Sequence, residues 1–210
     1  MISTRLALWL GVAALGLTCI AVQAQGVTPP EVLIKEVSSG VLDAVKADNS
    51  IRAGDVQKVI ALVDSKVMPY VDFRRMTASA VGRYWRQATP DQQKRLQDEF
   101  KILLVRTYSG ALAQVKDQTV QLKPMRSSPG DTEVVVRSEV RGQGDPIQLD
   151  YRLEKTPDGW RIYDVNVLGV WLVENYRNSF AQEIGANGID GLIAKLAERN
   201  KAVASGGSKS

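Results

Sequence analysis

Histidine is absent from this 210-residue chain, and its one cysteine, Cys19, lies in an N-terminal apolar segment. Those absences exclude imidazole and thiolate metal sites, Ser-His and Cys-His nucleophile pairs, and acid–base catalysis by histidine. Only carboxylates, Lys, Tyr, Ser or Thr remain for chemistry. There is no Gly-rich phosphate loop, no calcium-type loop and no internal repeat.

The one long apolar run follows Arg5, from Leu6 to Val22, and closes on the small-residue end Val22-Gln23-Ala24. Basic start, apolar middle and small residues before the cut are the order of a secretory signal peptide, with cleavage expected after Ala24. A membrane anchor fits less well, because Gly11, Gly16 and Thr18 interrupt a run that is short for a spanning helix. Cys19 as a lipidated first residue also fits poorly, since Thr18 precedes it and Gly16 stands where a branched apolar residue belongs.

Removing residues 1–24 takes away Arg5 and leaves 26 basic against 23 acidic residues, a formal charge of +3 instead of +4. An exported chain without disulfides must be held together by its own core, and this length can bury one. We expect the folded body over residues 25–200 and a disordered Ser, Gly and Lys-rich tail over 201–210.

Helical spacing opens the body. Thr28 can cap and Pro29 suits a first turn, with Leu33, Val37, Val41, Ala44 and Val45 on one face. Asp55 can start a second helix with Val56, Val59, Ile60 and Val63 inward, ended by Met68-Pro69. A third carries Met76, Ala80, Tyr84 and Trp85. Thr89 and Gln92 form a capping box, and the Leu96, Phe100, Leu103, Leu104, Tyr108, Ala111 and Leu112 stripe predicts a long buried helix.

The period then changes to alternation, predicting strands at 119–125, 133–141, 147–154 and 160–167, joined by short connections that favour antiparallel neighbours. Leu172, Val173, Tyr176, Phe180 and Ile184 return to helical spacing, and Ile189, Leu192, Ile193 and Leu196 make a last amphipathic helix. Consecutive strands flanked by helices predict an α+β fold with a sheet of about four strands.

On the strands, Val134, Val136 and Val140 share one face, as do Leu149, Tyr151 and Leu153, and Tyr163, Val165 and Val167. A solid sheet-on-helix core and an apolar cavity would use the same residues, so alternation leaves both open. Between Asp72 and Arg106, eight basic residues (Arg74, Arg75, Arg83, Arg86, Lys94, Arg95, Lys101, Arg106) face four acids, suiting a solvated helix face, anionic head groups or an acidic partner. Nucleic acid is not expected, because the chain is exported and lacks a clear set of stacking aromatics. Asp150, Asp164 and Glu174 are the candidates for carboxylate chemistry, but structural ion pairing explains such acids more often.

Several stretches resemble the MlaC family of periplasmic phospholipid-binding proteins, also called toluene-tolerance auxiliary proteins. They are Val71-Asp72-Phe73 with Met76, then Ala80-Val81-Gly82-Arg83-Tyr84-Trp85-Arg86 with Gln92 and Gln93, and Phe100, Leu103-Leu104 and Thr107-Tyr108. The likeness continues through Gly159-Trp160, Tyr163-Asp164-Val165, Gly169-Val170, Asn175-Tyr176-Arg177 with Phe180, and Gly188-Ile189-Asp190-Gly191-Leu192. Trp171 departs from the pattern, since similar sequences more often have Ser there; a hydroxyl is lost from the helix start and a large ring is added.

The resemblance implies a highly twisted antiparallel sheet wrapped by helices around acyl chains, with the head group near the surface. It implies no catalytic residue, metal or cofactor, the phospholipid being cargo. It also implies a periplasmic monomer, transiently near membranes, that shuttles between an outer-membrane lipoprotein complex and an inner-membrane lipid-binding complex with an ABC transporter. A docking protein with a solid core and an envelope hydrolase are the alternatives. Within the carrier reading, the tails are expected between the sheet face of Val136, Tyr151, Val165 and Val167 and the residues Val71, Phe73, Leu104, Tyr108, Val170 and Leu172. Tyr176 is expected among the lipid-contacting residues, turned inward with its hydroxyl bonded, and Arg177 paired with a carboxylate or a head group. Arg74 and Arg75 are the other candidates for head group or partner.

Overall fold

The computed structural model describes residues 27–128 and 130–206. The expected signal peptide, its cleavage point, Cys19 and residues 207–210 lie outside them.

Among the described residues, α-helices and strands follow one another as α1 (Pro30–Ala47), α2 (Asn49–Arg52), α3 (Val56–Lys66), α4 (Phe73–Val81), α5 (Pro90–Leu112), β1 (Thr119–Leu122), β2 (Glu133–Arg141), β3 (Ile147–Thr156), β4 (Gly159–Val167), β5 (Val170–Trp171) and α6 (Leu172–Gly206). The helix starts follow local chemistry. Asp55 caps α3 by accepting from Gln57 and Lys58 N–H, Asp72 caps α4 through Arg75 N–H, and the Thr89/Gln92 box closes around the start of α5. Thr28 does not cap α1: the cap position is Pro29 and Pro30 fills the first turn, where a missing N–H costs nothing.

One break was invisible to helical spacing. Gly82 takes φ +64 at the end of α4, so Tyr84 and Trp85 sit on a separate 3-10 turn (Gly82–Arg86) and not on a continued helix. Gly188 (φ +74) breaks α6 into the two terminal helices that the spacing predicts, the second running past Asn200 to Gly206.

The sheet is an antiparallel meander in chain order, β1 to β5. Its register places Val136, Tyr151 and Val165 opposite one another in one row, and Leu149, Val167 and Val170 in another. A bulge in β4 shifts the pairing from Arg152–Asp164 to Leu153–Ile162. The extra residue is Tyr163, so Ile162 replaces it on the inner face and Tyr163 lies under the Arg75 guanidinium, 3.7 Å from ring centre. Tyr163 therefore does not share a face with Val165 and Val167.

Three apolar clusters hold the molecule. α4, α5 and α6 meet around Phe100, whose ring makes edge contacts with Tyr176 and Phe180. The start of α1 packs Leu33 and Ile34 on Val134, Val136, Leu153 and Ile162 of the sheet. The end of α1 packs Leu42 and Val45 on Ile51, Val59, Leu62, Val105 and Val115. Each large apolar side chain so buried contributes roughly 1.5–3 kcal/mol. Among the described residues, no helix is long and apolar enough to cross a membrane.

Candidate functional site

Between the second and third clusters the packing leaves a cavity of about 720 Å³. The middle of α1 supplies Val37, Ser38 and Val41, and the last turns of α5 supply Tyr108, Ala111 and Leu112. The sheet closes the other side with Val120, Val140, Ile147, Leu149, Tyr151, Ile162, Val165 and Val167. A volume of this size falls in the range of small-molecule sites. Among the described residues, no phenylalanine or tryptophan reaches it. The branched aliphatic side chains of α1 and the sheet end short of one another, and that is why the space exists.

Apart from the Tyr108 phenol, the lining is apolar except in two places. One is a hydroxyl pair well inside, where Ser38 Oγ and Tyr151 Oη lie 3.4 Å apart and burial pushes the Tyr151 phenol up from its ordinary pKa. The other is an end where Gln114, Gln118, Gly142, Gly144 and Asp145 collect. There the β2–β3 hairpin meets the loop after α5, Gln143 Nε2 donating to Asp117 Oδ2 at 3.5 Å and Lys46 Nζ to the Gln118 carbonyl at 2.8 Å.

Of the residues expected around acyl chains, Val71, Tyr108, Tyr151, Val165 and Val167 line this cavity. Six lie elsewhere. Val136 is fully buried in solid sheet core; Phe73, Leu104 and Tyr176 pack in or against the Phe100 cluster; Leu172 is buried outside the lining; and Val170 belongs to β5, half-exposed. For Leu104 the cause lies in α5, whose first half fills the helical core while only its last turns face the hollow. Val37, Val41, Val140 and Leu149 were legible as apolar faces, yet nothing in their spacing said that space lay opposite.

The three candidate arginines are also away from the lining. Arg75 bridges Glu133 (2.6 Å) and Glu154, tying α4 to the sheet. Arg74 stacks over Trp85 at 5.7 Å and borders a separate shallow depression. Among the described residues Arg177 pairs with no carboxylate; its Nε donates to the Ser79 carbonyl at 3.1 Å, near the C-terminal end of α4 where backbone carbonyls are free. Tyr176 does turn inward, but its hydroxyl has no hydrogen bond among the described residues.

The candidate acids are engaged structurally. Arg152 donates to both Asp164 (3.1 Å) and Glu174 (3.2 Å) and stacks over Trp171 at 3.9 Å. Asp164 is buried, which pushes its carboxyl pKa up, against the lowering effect of the Val173 and Val165 backbone N–H groups and Arg152. No group of His, Cys, Asp or Glu suited to a metal ion occurs among the described residues.

A five-stranded antiparallel meander, wrapped by helices and hollow beneath the first of them, defines a small α+β protein with an apolar pocket. The chain belongs to the MlaC family: the family model described as "MlaC protein" matches residues 35–198. It is 26% identical over 197 residues to the toluene tolerance protein ttg2D of Pseudomonas putida, covering 90% of this chain and 89% of that one. It is 22% identical over 173 residues to the intermembrane phospholipid transport system binding protein MlaC of Haemophilus influenzae, covering 80% and 81%. Among solved structures, a phospholipid-binding protein of Ralstonia solanacearum in complex with a phospholipid superposes with a TM-score of 0.80 at 50% identity, over 83% of this chain and 98% of that one.

Proposed function

We propose that this chain is a periplasmic phospholipid carrier that moves lipid between an outer-membrane lipoprotein complex and an inner-membrane lipid-binding and ABC transporter complex, and so maintains outer-membrane lipid asymmetry. The observation that carries this reading is the apolar cavity beneath α1, in a chain half identical to a phospholipid-bound protein. Two acyl chains hold about 30 methylene groups, so exposing them to water would cost roughly 24 kcal/mol at about 0.8 kcal/mol each. A carrier has to replace nearly all of that contact, and aliphatic walls do so without catalytic residue, metal or cofactor.

Val71, Tyr108, Tyr151, Val165 and Val167 then contact the tails, and the polar end at Gln114, Gln118 and Asp145 faces the head group. The mature protein begins at Gln25, works as a monomer and approaches membranes only in passing. Organic extraction of the purified protein followed by mass spectrometry tests the reading. Co-purifying phospholipid supports the carrier, its absence a docking protein, and cleaved product a hydrolase.

A further inference from the structure

At the polar end of the cavity the sheet also carries an apolar projection that faces water. Leu168 is 65% exposed, Val170 48% and Ile147 37%. They are neighbours: the Leu168 N–H donates to the Gln148 carbonyl next to Ile147, and Val170 pairs with Val167 across the β4–β5 turn. The turn is built and not loose. Asn166, itself buried, accepts the Gly169 N–H at 2.8 Å and holds both Leu168 (φ +52) and Gly169 (φ +91) in the left-handed region. Leucine pays steric energy at such a φ, where Asn or Gly sits at ease. An apolar side chain is thus kept, under strain, at the most exposed point of the turn.

The projection is continuous with the pocket. Ile147 is both rim and lining, and Val170 extends the Leu149–Val167 row of the cavity wall beyond the edge of the hollow. We propose that Leu168, Val170 and Ile147 form a lip that enters the surface of a phospholipid bilayer and gives an acyl tail an unbroken apolar path into the cavity. Three side chains are far too few for a stable protein interface, which buries about 800 Å² per partner. They suit shallow, reversible contact with an interface that offers apolar matter at no fixed position. The inference rests on the carrier reading above.

The test is uptake of fluorescent phospholipid from protein-free vesicles of phosphatidylethanolamine and phosphatidylglycerol, compared with loading from detergent micelles. Leu168→Asn with Val170→Thr keeps the turn geometry and the β-branching while removing the apolar surface; Val135→Thr, another exposed valine of the sheet, is the control. The double variant should load fully from micelles yet take lipid from vesicles about tenfold more slowly, the effect of losing roughly 1.4 kcal/mol of bilayer contact. The control should match the unaltered protein. An unchanged vesicle rate would overturn the lip. So would an unaltered protein that loads from micelles but never from bare vesicles, or a defect seen only when membrane proteins are added, which would make the lip a protein contact. Failure of the unaltered protein to hold lipid from micelles would sink the carrier reading itself.

Discussion

Asp164 Oδ1 on β4 accepts the backbone N–H of Val173 at 3.1 Å, so a strand residue caps the helix that starts just after Trp171. Beside that cap, the indole of Trp171 is the platform for Arg152. Asp164→Ala should therefore cost about 3 kcal/mol, because it strips the cap and leaves a partly buried guanidinium short of a partner. Asp164→Asn, which keeps an acceptor, should cost less. Urea unfolding of both variants measures the difference.

The same residue fixes the sign of one pH effect. Burial raises the Asp164 pKa above its ordinary 3.8, so the folded state holds this proton more tightly than the unfolded state. Its contribution is fully present below 3.8 and is lost as pH rises through the folded value. Asp164→Asn should abolish that part of the stability–pH curve.

Glu139 runs the other way. Lys123 and Arg141 hold its carboxylate at about 2 instead of 4.5. Its stabilising contribution is complete above about 4.5 and disappears as pH falls toward about 2. Glu139→Gln should flatten acid unfolding in that window, as followed by circular dichroism.

Val165 and Val136 sit opposite the same Tyr151, one beside the hollow and one in filled core. Val165→Trp should fold and carry less phospholipid, its ring occupying tail space. Val136→Trp should lose about 1–3 kcal/mol by overpacking. Thermal melts with lipid quantification separate the two; a Val165→Trp protein with full lipid content would place the tails elsewhere.

Arg177→Ala removes a charged donor from the Ser79 carbonyl, a bond worth about 1.5–3 kcal/mol at most and less at this exposed position. Stability should fall by about 1 kcal/mol with lipid content unchanged, since Arg177 is remote from the lining. A loss of lipid without a loss of stability would restore its role at the head group.

What the sequence made legible was local. The Thr89/Gln92 box, the Asp55 cap and the period change at Thr119 are decided by a few neighbouring residues, and all three stand in the fold. The Tyr163 bulge, the two-residue β5 and the break at Gly82 depend on pairing or on one residue's φ, for which side-chain spacing carries no signal. The hollow is harder still. Val37 and Leu33 look alike on the α1 stripe, yet one borders space and the other fills core, because what differs is the reach of the side chains opposite.

That difference along α1 has a mechanical side. Leu33 and Ile34 moor one end of the helix to the sheet, Leu42 and Val45 moor the other to α3 and α5, and Val37, Ser38 and Val41 between them lie over the hollow. The helix is a beam on two supports with an unloaded span. A rod moored at both ends does not sag into the gap, and the hollow beneath its middle is kept open by the supports at its ends.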